Sequence, residues 1–84
     1  MIDTKIAIVG LWHQGIVASG CLSKIGFEVV GADMDTDKIS TLSRGKSPIF
    51  EPGLDELIIQ GIDNGKLDFT NDIASAVEGK EFVF

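Results

Sequence analysis

The sequence predicts an α/β fold in which a parallel sheet of about four strands carries helices on both faces. Two observations carry the prediction. Short apolar runs of the kind that form buried strands alternate with segments whose apolar residues recur at helical spacing, and glycine marks nearly every change between them. Such alternation favours right-handed crossovers and parallel pairing. With 84 residues the chain forms one small segment, 1–84, without repeat, linker or low-complexity tract. A domain of that size buries roughly 60–65% of its unfolded surface. Hydrophobic residues make up 44% and charged residues 24%, enough apolar content to drive a core.

The elements follow in order. Lys5-Ile-Ala-Ile-Val-Gly10 is a continuous apolar run ended by glycine, suited to a strand buried on both faces. From Gly15 to Ile25 the spacing turns helical, with Ala18, Cys21 or Leu22, and Ile25 on the inward side and Gly26 at the terminus. Phe27–Ala32 is a second buried strand with Asp33 at its carboxyl end. A second helix starts at Asp35 or Thr36, carries Ile39 and Leu42 inward and stops at Gly45. Two prolines keep Ser47-Pro-Ile-Phe-Glu-Pro-Gly53 irregular, and Pro52 suits the first position of a helix through Leu54, Leu57 and Ile58 toward Gly61. Lys66–Thr70 alternates like a half-buried strand. Asn71 or Asp72 caps a short helix over Ile73, Ala76 and Val77, and Glu81–Phe84 begins another strand.

Charge and cysteine content exclude several functions. Thirteen acidic against seven basic residues leave a net charge of −6, with no cationic run for a nucleic acid or an anionic membrane. Cys21 is alone, which rules out an internal disulfide and any multi-cysteine zinc site. Asp3 and Lys5, then His13 and Gln14, interrupt the first 25 residues too often for a signal peptide, and no run approaches the ~20 apolar residues of a membrane span. These features fit a soluble protein of the cytoplasm.

The turn Gly10-Leu-Trp-His-Gln-Gly15 leads from the first strand straight into a helix. Dinucleotide-binding βαβ units, the Rossmann type, carry G-x-G-x-x-G at this point. The first glycine permits the tight turn, the second admits the pyrophosphate to the backbone, and the third lets helix and strand pack closely. The helix start then offers free N–H groups and partial positive charge to phosphates. Gly10 and Gly15 keep the first and third positions; Trp12 stands at the second. Asp33 ends the next strand about 20 residues further on, where a carboxylate accepts both ribose hydroxyls of an adenosine and repels a 2′-phosphate. Met34 and Asp35 follow it, with no Arg to reverse that preference, so NAD is favoured over NADP.

Taken with Ala18-Ser-Gly-Cys-Leu22, Gly31-Ala-Asp-Met-Asp35, Arg44-Gly-Lys-Ser-Pro-Ile-Phe-Glu-Pro-Gly-Leu54, Phe69-Thr-Asn-Asp72 and Phe82-Val-Phe84, the chain resembles the amino-terminal part of the UDP-glucose/GDP-mannose dehydrogenase family. The resemblance covers essentially all 84 residues. Its most specific segment is Ser47–Leu54, which ordinary Rossmann domains lack. Members of that family oxidise the C6 alcohol of a nucleotide sugar to a carboxylate with two NAD molecules in succession, and a cysteine holds the aldehyde-level intermediate. The resemblance implies that Gly10, Leu11, Trp12, His13, Gln14 and Gly15 meet the pyrophosphate and that Asp33 and Lys38 meet the adenosine ribose. On the residues alone, Lys38 is equally a solvated lysine. The resemblance also implies that the nucleophilic cysteine, its lysine and aspartate, and the sugar-binding part lie beyond this stretch. No catalytic residue and no metal ligand is therefore assigned, nucleotide sugar belongs to the full-length protein, and a homo-oligomer is expected.

Other residues have plainer readings. Cys21 on the apolar side of its helix belongs to the core. His13 lies at the helix start near the phosphates, Asp35 and Asp37 suit a helix start, and Glu51 caps the helix that follows it. The closing strand, with nothing beyond Phe84, leaves either an incomplete domain with an open edge or a frayed end. Two rivals follow: a non-catalytic nucleotide-binding or oligomerisation module that pairs through that edge, and a β-hydroxyacid-type dehydrogenase, whose pattern has no place for Glu51-Pro-Gly-Leu54.

Overall fold

The computed structural model describes residues 4–84. The elements run β1 (Lys5–Val9), α1 (His13–Ile25), β2 (Glu28–Ala32), α2 (Thr36–Ser43), α3 (Leu54–Asp63), β3 (Leu67–Thr70), α4 (Ile73–Val77) and β4 (Phe82–Val83). All four strands are parallel, in the order β3-β2-β1-β4. Successive strands step outward from β1 to β3, and the chain then crosses back to lay β4 on the far side of β1. Strand order thus reverses beside β1, which is where open α/β sheets bind ligands.

The two faces are filled differently. Ile6, Ile8, Val29, Leu67 and Phe69 form one core with Leu11, Ile16, Leu42, Leu54 and Ile58, under α1 and α3. The connection from β3 to β4 runs the opposite way across the sheet, so its right-handed crossover carries α4 over the other face. There Ala76 is buried and α4 lies against β1 and β2. Asp35 and Asp72 accept the amides of Lys38 and Ser75 at 3.1 and 3.0 Å and cap α2 and α4, so of the alternatives the aspartates start both helices.

Three expectations are corrected. Cys21 is exposed and Ile25 is 61% exposed. The buried face of α1 is Ile16, Ser19, Gly20 and Ser23, a stripe at helical spacing made mostly of small residues. Close packing against α3 requires it: a Cβ on Gly20 would lie 3.3 Å from the Cβ of Leu57, and one on Gly61 would lie 2.6 Å from the Ser23 hydroxyl and 2.8 Å from the Cβ of Leu67. Ala18 and Leu22 are partly buried against the core as expected, so of the alternatives Leu22 and not Cys21 faces inward; apolar spacing misses the centre of the buried face because glycine and serine hold the side where the two helices nearly touch. Next, α3 begins at Leu54 rather than at Pro52; Gly53 is its N-cap at φ +83°, a conformation that glycine adopts without strain. Finally, Glu51 contributes only its backbone carbonyl there, accepting from Leu54 at 3.1 Å, and its side chain turns elsewhere.

These contacts make a paired prediction. Gly61→Ala forces Ser23 and Leu67 apart and destabilises the chain by about 1–3 kcal/mol in urea denaturation. Cys21→Ser changes stability by no more than about 0.5 kcal/mol. A thiol reagent should modify Cys21 in the folded protein as fast as in an unstructured peptide; modification only on unfolding would contradict the exposed placement.

Candidate dinucleotide-binding turn

The site is built where β1 and β2 end level. Val9 pairs with Ala32 in register, and the Gly10 N–H donates to the Ala32 carbonyl at 2.8 Å. The turn after β1 and Asp33 after β2 therefore emerge side by side. Gly10 turns the chain at φ +92°, and a Cβ on Gly15 would be driven into the Gly10 carbonyl oxygen. The first and third glycines thus have the two roles that the spacing suggests. Trp12 is the N-cap of α1 at φ −85°, ψ −170°, ordinary extended backbone, so nothing in the fold itself demands glycine at the middle position. The helix starts two residues earlier than the spacing predicts, with His13, and its first i→i−4 bond runs from the Ile16 N–H to the Trp12 carbonyl at 3.0 Å. The amides of His13, Gln14 and Gly15 precede that bond, and the first turn holds no acidic residue to offset their positive end.

Leu11 has a different role from its neighbours. Its side chain is fully buried, in the space that Gly31 leaves beside Phe69, and its N–H donates to Asp33 Oδ2 at 2.8 Å. The Asp35 N–H donates to Asp33 Oδ1 at 2.9 Å, and Lys38 Nζ lies 3.3 Å from Oδ2. Burial alone would raise the Asp33 carboxyl, but these two amides and the Lys38 ammonium outweigh it and hold the carboxyl below the usual aspartate value. Lys38 is not the solvated lysine of the plainer reading. Its side chain is 12% exposed, and its ammonium sits 4.0 Å from the centre of the Trp12 ring.

The structure brings together Gly10, Leu11, Trp12, Gly15, Asp33 and Lys38. His13 and Gln14 are exposed at the helix start beside them. It also adds a pair that sequence reasoning missed. His13 Nε2 lies 3.5 Å from Glu51 Oε2, linking the turn to the Ser47–Gly53 loop. No sequence signal pairs residues so far apart. That loop is fastened in turn by the Ser47 N–H donating to Asp55 Oδ1 at 2.8 Å. Along β1 an open apolar cavity of about 460 Å³ reaches from the turn past Ile8, Ala18 and Leu22 to Phe84.

The Asp33 bonds carry a pH signature. Its folded pKa lies below the unfolded value of about 3.9, so its contribution is complete above about pH 5 and is lost as pH falls below 4 through the folded value. Asp33→Asn should cost about 1–3 kcal/mol near neutral pH, and the gap from wild type should shrink in urea denaturation run from about pH 5 down to about pH 2. A gap independent of pH would mean that the charge of Asp33 does not support the turn.

The turn's surroundings match known proteins. Residues 4–84 match the description "UDP-glucose/GDP-mannose dehydrogenase family, NAD binding domain". The chain is 49% identical over 77 residues to GDP-mannose 6-dehydrogenase of Pseudomonas syringae pv. syringae, covering 92% of this chain and 18% of that protein. It is 42% identical over 80 residues to UDP-glucose 6-dehydrogenase of Rhizobium meliloti, covering 95% and 18%. Its fold superposes with a TM-score of 0.91, at 46% identity, on GDP-mannose dehydrogenase of Pseudomonas aeruginosa in a ternary complex, covering 94% of this chain and 18% of that one. The chain thus spans about 18% of the length of these relatives. Among the described residues no helix is long and apolar enough to cross a membrane. With this match NAD becomes the cofactor of the domain, and the chain belongs to the UDP-glucose/GDP-mannose dehydrogenase family, matching its NAD binding domain.

Proposed function

We propose that residues 1–84 are the amino-terminal, adenosine-holding part of the NAD site of a nucleotide-sugar 6-dehydrogenase that oxidises the C6 alcohol of a UDP- or GDP-sugar to the carboxylate. The observation that carries this reading is the Asp33 carboxylate, held by the Leu11 amide beside the start of α1 at the point where strand order reverses. When bound, NAD supplies the hydride acceptor. The chain's own residues bind and orient. Amides of His13, Gln14 and Gly15 face the pyrophosphate, with Gly10 and Gly15 giving the turn its close approach and the exposed Trp12 bordering it. A carboxylate offers about four acceptor positions, and three donors already use Asp33, so a ribose hydroxyl takes the fourth. The Lys38 ammonium, on Asp33 Oδ2, lies beside that ribose. Leu11 acts through Asp33.

The residues present fit the adenosine half of the cofactor. Cys21, exposed on the outer side of α1, is not the nucleophile of this reading; because the chain spans about 18% of its relatives, the nucleophile and the nucleotide-sugar site are assigned to the remainder of a longer protein. A single unpaired cysteine suits the reducing cytoplasm.

Titration with NAD, followed through the emission of Trp12, should give a saturable change, and Asp33→Ala should weaken binding at least about tenfold through the lost charged hydrogen bonds. Neither UDP-glucose nor GDP-mannose should yield NADH with this chain. An unchanged Trp12 signal together with no calorimetric heat would overturn the reading.

One observation favours a second reading, a non-catalytic assembly module that pairs with a copy of itself. β4 is an edge strand whose Phe82, Val83 and the adjoining Phe84 are 53%, 51% and 66% exposed, the two phenylalanine rings stacked at 6.3 Å. This reading predicts a concentration-dependent dimer in sedimentation and no effect of NAD on Tm. A monomer at all concentrations whose Tm rises with NAD would refute it.

A further inference from the structure

Trp12 is 77% exposed, so the core does not hold its ring in place. Its backbone is ordinary, and its side chain makes no capping hydrogen bond. The ring meets Lys38, whose ammonium sits 4.0 Å from the ring centre and 3.3 Å from Asp33 Oδ2. Lys38 is thereby fixed on two sides, by a π face and by a carboxylate, and its side chain is only 12% exposed, whereas a lysine in the first turns of a helix ordinarily extends into water. NADP-binding sites place a free cation near the ribose to neutralise the 2′-phosphate. Here the cation nearest the ribose-binding carboxylate is already engaged, and Asp35 and Asp37 at the start of α2 add negative charge.

We propose that Trp12 determines cofactor specificity: its indole keeps the Lys38 ammonium on Asp33, so that this cation is not free to receive a 2′-phosphate and NAD is selected over NADP. The assignment rests on the NAD reading above. It gives the side chain at the middle position of the turn a role of its own. Without the indole, the four-carbon stem of Lys38 is free to swing outward, and the same residue that now reinforces NAD selection becomes a phosphate partner.

The test compares Kd for NAD and NADP, by calorimetry on the 84-residue chain, for wild type, Trp12→Phe, Trp12→Gly and Trp12→Gly with Lys38→Met. The ratio of the two constants is the readout, because easier approach of the pyrophosphate to a turn stripped of its indole changes both constants alike. Trp12→Gly should lower the NADP-to-NAD ratio by about five- to tenfold. Trp12→Phe should retain most of the discrimination, and adding Lys38→Met should restore it. A second readout needs no cofactor: the Asp33 carboxyl titration followed by carbon NMR should move upward in Trp12→Gly as Lys38 departs. NAD binding with an unchanged ratio, a lowered ratio that persists without Lys38, or an unmoved Asp33 midpoint would each overturn the assignment while leaving the NAD reading intact. Failure of every variant to bind either dinucleotide would overturn both.

Discussion

The hydrogen bond from the Leu11 amide to the Asp33 carboxylate joins the ends of β1 and β2, and most of the site's geometry depends on it. In-register pairing brings the two strands out level, but pairing stops at Val9 and Ala32. Beyond that point the turn must be held by something other than the ladder. Asp33 does so with a charged acceptor, which forms stronger bonds than a carbonyl does. Because Leu11 also buries its side chain against Phe69 in the space beside Gly31, the turn is anchored from below by packing and from the side by charge. The start of α1 then points into the crevice where strand order reverses.

A consequence is that the carboxylate serves structure and ligand at once. An aspartate that only capped a helix would leave its acceptor positions facing water. Asp33 instead uses them on Leu11, Asp35 and Lys38, with the side chain 14% exposed. A ribose must insert into an existing network, so its affinity depends on the acceptor position that Leu11, Asp35 and Lys38 leave open. Trp12 enters the chemistry of the site at that point, although it belongs to neither strand.

Much of this is legible in the sequence because the decisive features are local. Gly10 and Gly15 stand where a turn and a close helix approach need them, Asp35 and Asp72 cap the helices that follow them, and apolar runs mark the buried strands. Ser47–Leu54 points to the family without any knowledge of the fold. What escapes depends on contacts between distant segments. The inward side of α1 is made of Ile16, Ser19, Gly20 and Ser23, and small residues give no apolar periodicity, so the spacing puts Cys21 and Ile25 on the wrong side. Glu51 resembles a helix cap because it lies just before α3, yet its carboxylate faces His13 across the fold. Spacing can place Lys38 near Asp33, but not its contact with the ring of Trp12, which lies on another element altogether.

Amide hydrogen exchange at Leu11 reports whether Asp33 holds the turn. If Asp33 holds the turn, the Leu11 N–H of the ligand-free chain is strongly protected, its protection is retained when NAD is added, and it is lost in Asp33→Ala while the amides within β1 and β2 keep theirs. A Leu11 amide that exchanges at the rate of an unstructured peptide in the wild-type chain, or whose protection survives removal of the Asp33 carboxylate, would contradict the account.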